Sequence, residues 1–489
     1  MKKLIKESIL EKIKDKNLYI FLAITMIFFG VFILKDYTVD SYLFFQETWR
    51  EPFNHLASLG RLVTAIFWLA FSWTNFDIAY IASFLLAIIA TTLSMYECNH
   101  ILERDIKNEK ITRLLSILVV INICTLELYM FFEKGVMMLS VLMSILAIGQ
   151  LDKALQGNKK AWIIILVEMF IANCCYQGTV GIFVAIGTIY IIKNSKNIKE
   201  FIKNNILVAA LYALPAVLNL FVAKFIFHSS RLGGSVSFSE KTTSIVKTIL
   251  DIMKNTFDIL PHYLFFGILL AICIVFMIKV FERKESKIKI GLNIFSLIYV
   301  ILATILATVA PQIMQSYVYM VPRNVFSLGA ILAIVLILTY QRVKMGKIAN
   351  TCIILGSILF LCIQFFNFMD IIRGHYYTNQ KDREIAERIA TVVKEYEEET
   401  GEIISKVVIY KENVPSQYKN VRYNGDANVR AFFTDWGTHG ILDVVLGKDV
   451  KVVQEKKQEY EEFFKSKEWK EFDEEQIKLE NDTLHLCII

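Results

Sequence analysis

Apolar blocks of about fifteen to twenty residues, separated by short polar breaks, recur through the first 369 positions of this 489-residue chain. A block of that length crosses a hydrocarbon core of roughly 30 Å as a helix. A soluble chain of similar size would carry about a quarter charged residues, whereas here 55% are hydrophobic and 20% charged. The pattern is that of an α-helical polytopic membrane protein. It excludes a soluble multidomain enzyme and suggests no nucleic-acid partner.

Reading blocks against breaks gives eleven spans, at about 17–34, 77–97, 114–131, 136–149, 161–175, 177–192, 206–227, 262–280, 290–310, 325–340 and 351–369. The first, Asn17 to Leu34, lacks a small-x-small cleavage site before Lys35 and reads as a retained helix rather than a signal peptide. One set of inter-span loops holds 25 Lys/Arg and the alternate set nine. The positive-inside rule then places the N-terminus in the cytoplasm and, with eleven spans, the C-terminal segment outside. Loop 35–76 becomes external. Its stretch Arg61 to Trp73 is too short to span, and Trp68 and Trp73 suit the headgroup level, so an interfacial or re-entrant helix is expected.

The charge balance changes near Asp370. Residues 370–489 hold 18 basic and 25 acidic side chains, a net of −7, against +13 for residues 1–369. Two units follow: a membrane domain over 1–369 and a soluble C-terminal α/β domain over 370–489. The latter shows an amphipathic stretch at Lys381 to Glu399, strand-like runs at Val407–Tyr410 and Leu484–Ile489, and a helix near Gln454 to Phe472. It shows no Gly-rich phosphate loop and no metal-ligand spacing, which leaves it a supporting or acceptor-binding role. The eight cysteines suggest neither a zinc site nor a disulfide framework, and the vicinal Cys174-Cys175 reads as small apolar packing.

Loop 35–76 opens with Asp36 and Asp40, followed by Glu47, Glu51 and Gly60-Arg61. An acid at the membrane surface could act as a general base near cations that neutralise a phosphate. The plainer reading is a solvated loop. Glu133 and Lys134 form either an ion pair or a sugar- or phosphate-binding tip. Glu168, within a span, reads as a functional group or a buried partner. Arg323 is either a phosphate ligand or an interfacial anchor.

The runs YTVDSY, LGRLVTAI, FFEKG, CYQG and VPRN, Asp77 opening the second span, and the segment HYYTNQKDREIAERIATVV occur in an order that resembles the bacterial Gtr-type (type II) glucosyltransferase family. These belong to the GT-C class of polytopic, polyprenyl-phosphate-sugar-dependent glycosyltransferases. The resemblance implies that the first-loop acid is catalytic, which falls on Asp40. The family often doubles this acid, but Ser41 stands at the second position, leaving Asp36 as a possible substitute. Arg61 matches the Gly-Arg element, and Tyr176 with Gln177 the Tyr-Gln element.

The expected function is therefore that of an inverting glycosyltransferase in the bacterial cell membrane. It would move a hexose, glucose by the resemblance, from a polyprenyl-phosphate donor to a cell-surface glycan on the outer face. Asp40 (or Asp36) is the expected base, Arg61, Arg323 and Lys134 the phosphate ligands, and Asp77, Glu133, Glu168, Tyr176 and Gln177 the supporting residues. No metal ligand and no cofactor is implied, with a divalent metal left open. The rivals are a transporter or flippase of lipid-linked sugars, which usually shows internal repeats not found here, and a non-catalytic membrane assembly protein.

Overall fold

A computed structural model describes residues 12, 14–45, 50–229, 237–283, 286–313, 318–411, 415–469 and 472–488. Glu47 and most of the basic stretch at 1–16 lie outside these residues. Among the described residues, eight helices are long and apolar enough to cross a membrane. The first is α1 (Lys16–Phe29), which tightens into a 3-10 turn ending at Ile33. A short α2 (Arg50–Ser58) and α3 (Leu62–Phe71) then precede the second long helix, α4 (Phe76–Glu103).

Three of the eleven expected spans take shorter forms. The run 114–131 is split into α5 (Glu109–Val120) and α6 (Thr125–Met130). At the break Asn122 Oδ1 accepts the Cys124 N–H at 2.9 Å and Thr125 Oγ1 accepts the Asn122 N–H at 3.0 Å, satisfying backbone groups that lipid could not. α7 (Lys134–Leu155) is a full-length helix. α8 (Lys159–Cys175) and α9 (Gly181–Lys193) have 17 and 13 residues. At 1.5 Å per residue they reach about 26 and 20 Å, short of a 30 Å core.

The long helices resume with α10 (Ile198–Phe225). An amphipathic α11 (Phe238–Asn255), held at its start by a Ser237–Glu240 capping box, connects to α12 (His262–Glu282) and α13 (Lys287–Ile313). The VPRN run forms a 3-10 turn, Pro322–Val325, that leads into α14 (Phe326–Gly329) and α15 (Ile331–Arg342). α4, α7 and α15 form the interior. α10, α12 and α13 present Leu214, Leu218, Leu270, Leu302 and Leu306 outward, the exposed apolar surface expected of helices facing lipid.

α16 (Lys347–Thr400) runs 54 residues without interruption across position 370. That is about 80 Å of helix at 1.5 Å per residue, far more than a bilayer core needs, so its second half leaves the apolar layer and carries the C-terminal segment. Beyond it lie β1 (Lys406–Lys411), α17 (Asp435–Leu446), β2 (Lys451–Val453), α18 (Gln458–Lys465), β3 (Ile477–Glu480) and β4 (Thr483–Ile488). The sheet order is β2-β1-β4-β3, with β1 parallel to both neighbours and β3–β4 an antiparallel hairpin. Asn481 takes the positive φ of 51° that this tight turn demands.

The C-terminal segment packs back on loop 35–76. α17 lies against the 3-10 turn Val39–Phe45, closely enough that a Cβ on Gly440 would sit 2.5 Å from the Tyr42 carbonyl oxygen. Glycine is required there because the turn's backbone touches the helix. The expected interfacial stretch becomes α3, and of its two tryptophans Trp73, just beyond the helix, is exposed, at 82%. Trp68 is buried against Phe44, Phe76 and Phe132.

Candidate functional site

The turn Val39–Phe45, pinned by α17, places Asp40 on the wall of a cavity of about 860 Å³. One side of this cavity is membrane helix: Tyr212, Ala213, Ala216, Val217 and Leu220 of α10, with Pro311 and Gln312 of α13. The C-terminal segment also lines the cavity, through Asp426, Val429, Phe433 and Trp436. Arg61, Glu133, Tyr176, Gln177, Arg323 and Asn324 complete the lining. Motif pieces separated by up to 284 positions in sequence thus share one wall.

Local bonds hold them together. Gln177 Nε2 donates to the Gly60 carbonyl at 2.9 Å, linking the Tyr-Gln element to the Gly-Arg element. Tyr176 Oη donates to Asn324 Oδ1 at 2.6 Å, linking it to the VPRN run. A Cβ on Gly178 would lie 2.6 Å from the Arg323 carbonyl oxygen and 2.8 Å from Asn324 Cα, so only glycine lets the two turns meet.

Arg61 Nη1 pairs with Glu133 Oε1 at 2.9 Å, and its guanidinium sits 4.8 Å from the centre of the Tyr176 ring. Arg61 Nε is buried and makes no hydrogen bond, which leaves this arginine with donor capacity to spare. Arg323 is more fully engaged. Its Nη1 donates to Glu127 Oε1, its backbone N–H to Glu127 Oε2 and its Nη2 to Asp426 Oδ2, all at 2.7 Å.

Glu127, on α6, is completely buried and also accepts the Asp426 backbone N–H at 2.9 Å. The wall therefore carries three carboxylates, Asp40, Glu133 and Asp426, beside two guanidiniums, Arg61 and Arg323. Each arginine already holds a carboxylate. Among the described residues the Asp40 carboxylate has no hydrogen-bond partner, so its oxygens are open to a hydrogen bond from a ligand in the cavity. Burial, and then the Glu127 and Asp40 carboxylates, push the Asp426 carboxyl upward from the usual carboxylate range. One guanidinium shared between two carboxylates cannot offset all of that charge.

The other expected site residues lie off this wall. Lys134, an expected phosphate ligand, opens α7 fully buried, its Nζ 3.4 Å from the centre of the Tyr80 ring and without a hydrogen-bond partner. That position removes it from any direct contact with a ligand in the cavity. Asp36 belongs to the same cluster, its carboxyl pushed up by burial against the opposing pull of Arg383 and Lys134. Asp77 is bonded by Lys35 Nζ at 2.5 Å and Tyr37 Oη at 2.7 Å, and so anchors the loop. Glu168 is half-buried in α8 with Oε2 making no hydrogen bond.

Glu127 and Asp426 were not among the residues expected from the sequence. Nor was a metal-type cluster, yet His439, Asp443 and Asp449 bring their ligand atoms within 4.8 Å of one another. This group lies outside the cavity wall, and His439 Nε2 already contacts Asp443 at 3.2 Å and Asp449 at 3.0 Å. Asp443 also accepts the Val450 N–H. Comparison with family models, with curated proteins and with solved structures finds no match to this chain.

Proposed function

We propose that the chain is an inverting membrane glycosyltransferase that moves a hexose from a polyprenyl-phosphate donor to a glycan acceptor. The observation that carries this reading is the Asp40 carboxylate, free of hydrogen-bond partners among the described residues, on one wall with Arg61 and Arg323. Asp40 takes the proton of the acceptor hydroxyl as that oxygen attacks the anomeric carbon. The C1–O bond to phosphate breaks with its electron pair, and the negative charge left on the lipid phosphate is stabilised by the guanidiniums. Phosphate is a good leaving group, so base, charge stabilisation and positioning suffice.

A lining drawn from both the apolar helices and the C-terminal segment supports this assignment. A donor with a polyprenyl chain must approach between membrane helices, and the apolar face of α10 offers that side. A polar glycan must approach from water, and Phe433 and Trp436, 41% and 49% exposed, offer it aromatic surface.

In this reading α5–α6, α8 and α9 complete eleven crossings, with the N-terminus cytoplasmic and the C-terminal segment extracytoplasmic. A membrane-impermeant thiol reagent is expected to reach cysteines placed at Ser239 and Thr483 in intact cells but not one at Asn108. Protection of Thr483→Cys reverses the orientation. For the donor site, Arg61→Ala is expected to weaken polyprenyl-phosphate binding roughly ten- to a hundredfold, since a charge-assisted contact contributes about 1.5–3 kcal/mol. Unchanged affinity places the phosphate elsewhere.

A further inference from the structure

Of the two carboxylates on Arg323, one is fixed and the other is replaceable. Glu127 is fully buried and accepts three hydrogen bonds, two from Arg323 and one from the Asp426 backbone. The Asp426 side chain is 26% exposed, lines the cavity, and its carboxylate makes the single bond to Arg323 Nη2. We propose that Asp426 is an exchangeable anion on Arg323: its carboxylate occupies the guanidinium edge that a donor phosphate requires, and yields that edge when the phosphate enters. This rests on the reading of Arg323 as a phosphate ligand and assigns the C-terminal segment a positioning role in it.

The exchange balances in charge. A sugar-linked polyprenyl phosphate is a phosphodiester with one negative charge, and it replaces one carboxylate. The displaced Asp426 loses its cation while the Glu127 and Asp40 carboxylates remain near, and a carboxylate among like charges takes a proton from solvent more readily. Its backbone N–H bond to Glu127 does not depend on the carboxylate, so the loop around Gly425 can hold its anchor while the side chain turns away.

The test uses the purified full-length chain in detergent with polyprenyl phosphate as the probe, binding being measured for wild type, Asp426→Asn and Arg61→Ala. Asp426→Asn keeps the side-chain shape and removes the competing charge, so it is expected to bind three- to tenfold more tightly than wild type. In wild type, hydrogen exchange of the 424–430 amides is expected to speed up when the probe binds. Both changes are required, and the absence of either overturns the proposal. Inorganic phosphate reproducing both changes assigns the exchange to any free phosphate, and changes confined to polyprenyl phosphate assign it to the lipid headgroup. If Arg61→Ala weakens binding while Asp426→Asn does not tighten it, the donor-site reading stands and Asp426 is only a structural tie. If wild type does not bind polyprenyl phosphate at all, both readings fall.

Discussion

The Asp40→Asn protein is expected to bind a polyprenyl-phosphate sugar as the wild type does and to transfer that sugar about two to four orders of magnitude more slowly. The amide keeps the size and shape of the carboxylate but cannot accept the acceptor's proton, and loss of a general base typically costs that much in rate. Folding should change little, because Asp40 makes no hydrogen bond that the substitution removes; the turn is held instead by α17 against Val39 and Tyr42. Asp36→Asn is the matched control. Asp36 faces Lys134 and Tyr80 rather than the cavity, so its substitution is expected to act on stability more than on turnover. Turnover and donor affinity measured separately for the two variants decide between them. A normal rate for Asp40→Asn with an inactive Asp36→Asn moves the base to Asp36.

Arg323→Ala is expected to be the most destabilising single change at the site. It leaves Glu127 fully buried without its cation and frees Asp426 beside it, and breaking a buried ion pair from one side typically costs about 3–5 kcal/mol. The variant should unfold at a clearly lower temperature in detergent, and its weakened donor binding would then mix two causes. Arg61→Ala breaks one ion pair rather than two, so it separates the binding effect more cleanly. An Arg323→Ala protein as thermally stable as wild type contradicts the buried network described here.

How far the sequence reached follows from what each signal depends on. The long apolar helices were legible because burial in lipid needs only composition and length. The break at Ile121–Cys124 was not, since it sits inside a continuous apolar run and is marked only by Asn122 and Thr125, whose side chains bond the backbone locally. Gly-Arg, Tyr-Gln and VPRN were found as separate motifs, and the structure puts them on one wall through Gln177, Tyr176 and Gly178.

Asp426 escaped notice because its neighbours, Asn424, Gly425 and Asn428, form an ordinary turn composition. Its partner Arg323 is 103 positions away and Glu127 is 299 positions away. No periodicity links residues at such separations. The burial of Lys134 is equally hidden in sequence, since a Lys-Gly pair between two apolar runs does not reveal that it begins a buried helix under the Tyr80 ring.

Sugar transfer from lipid phosphate at Asp40 can be followed directly through both of its products. Purified protein, given a panel of polyprenyl-phosphate hexoses and a glycan acceptor, should release free polyprenyl phosphate in step with hexose appearing on the acceptor. The glucose donor is expected to be fastest, and the Asp40→Asn protein should release almost none. Polyprenyl-phosphate sugars that remain intact with every donor and acceptor, or release that is equal in wild type and Asp40→Asn, would contradict it.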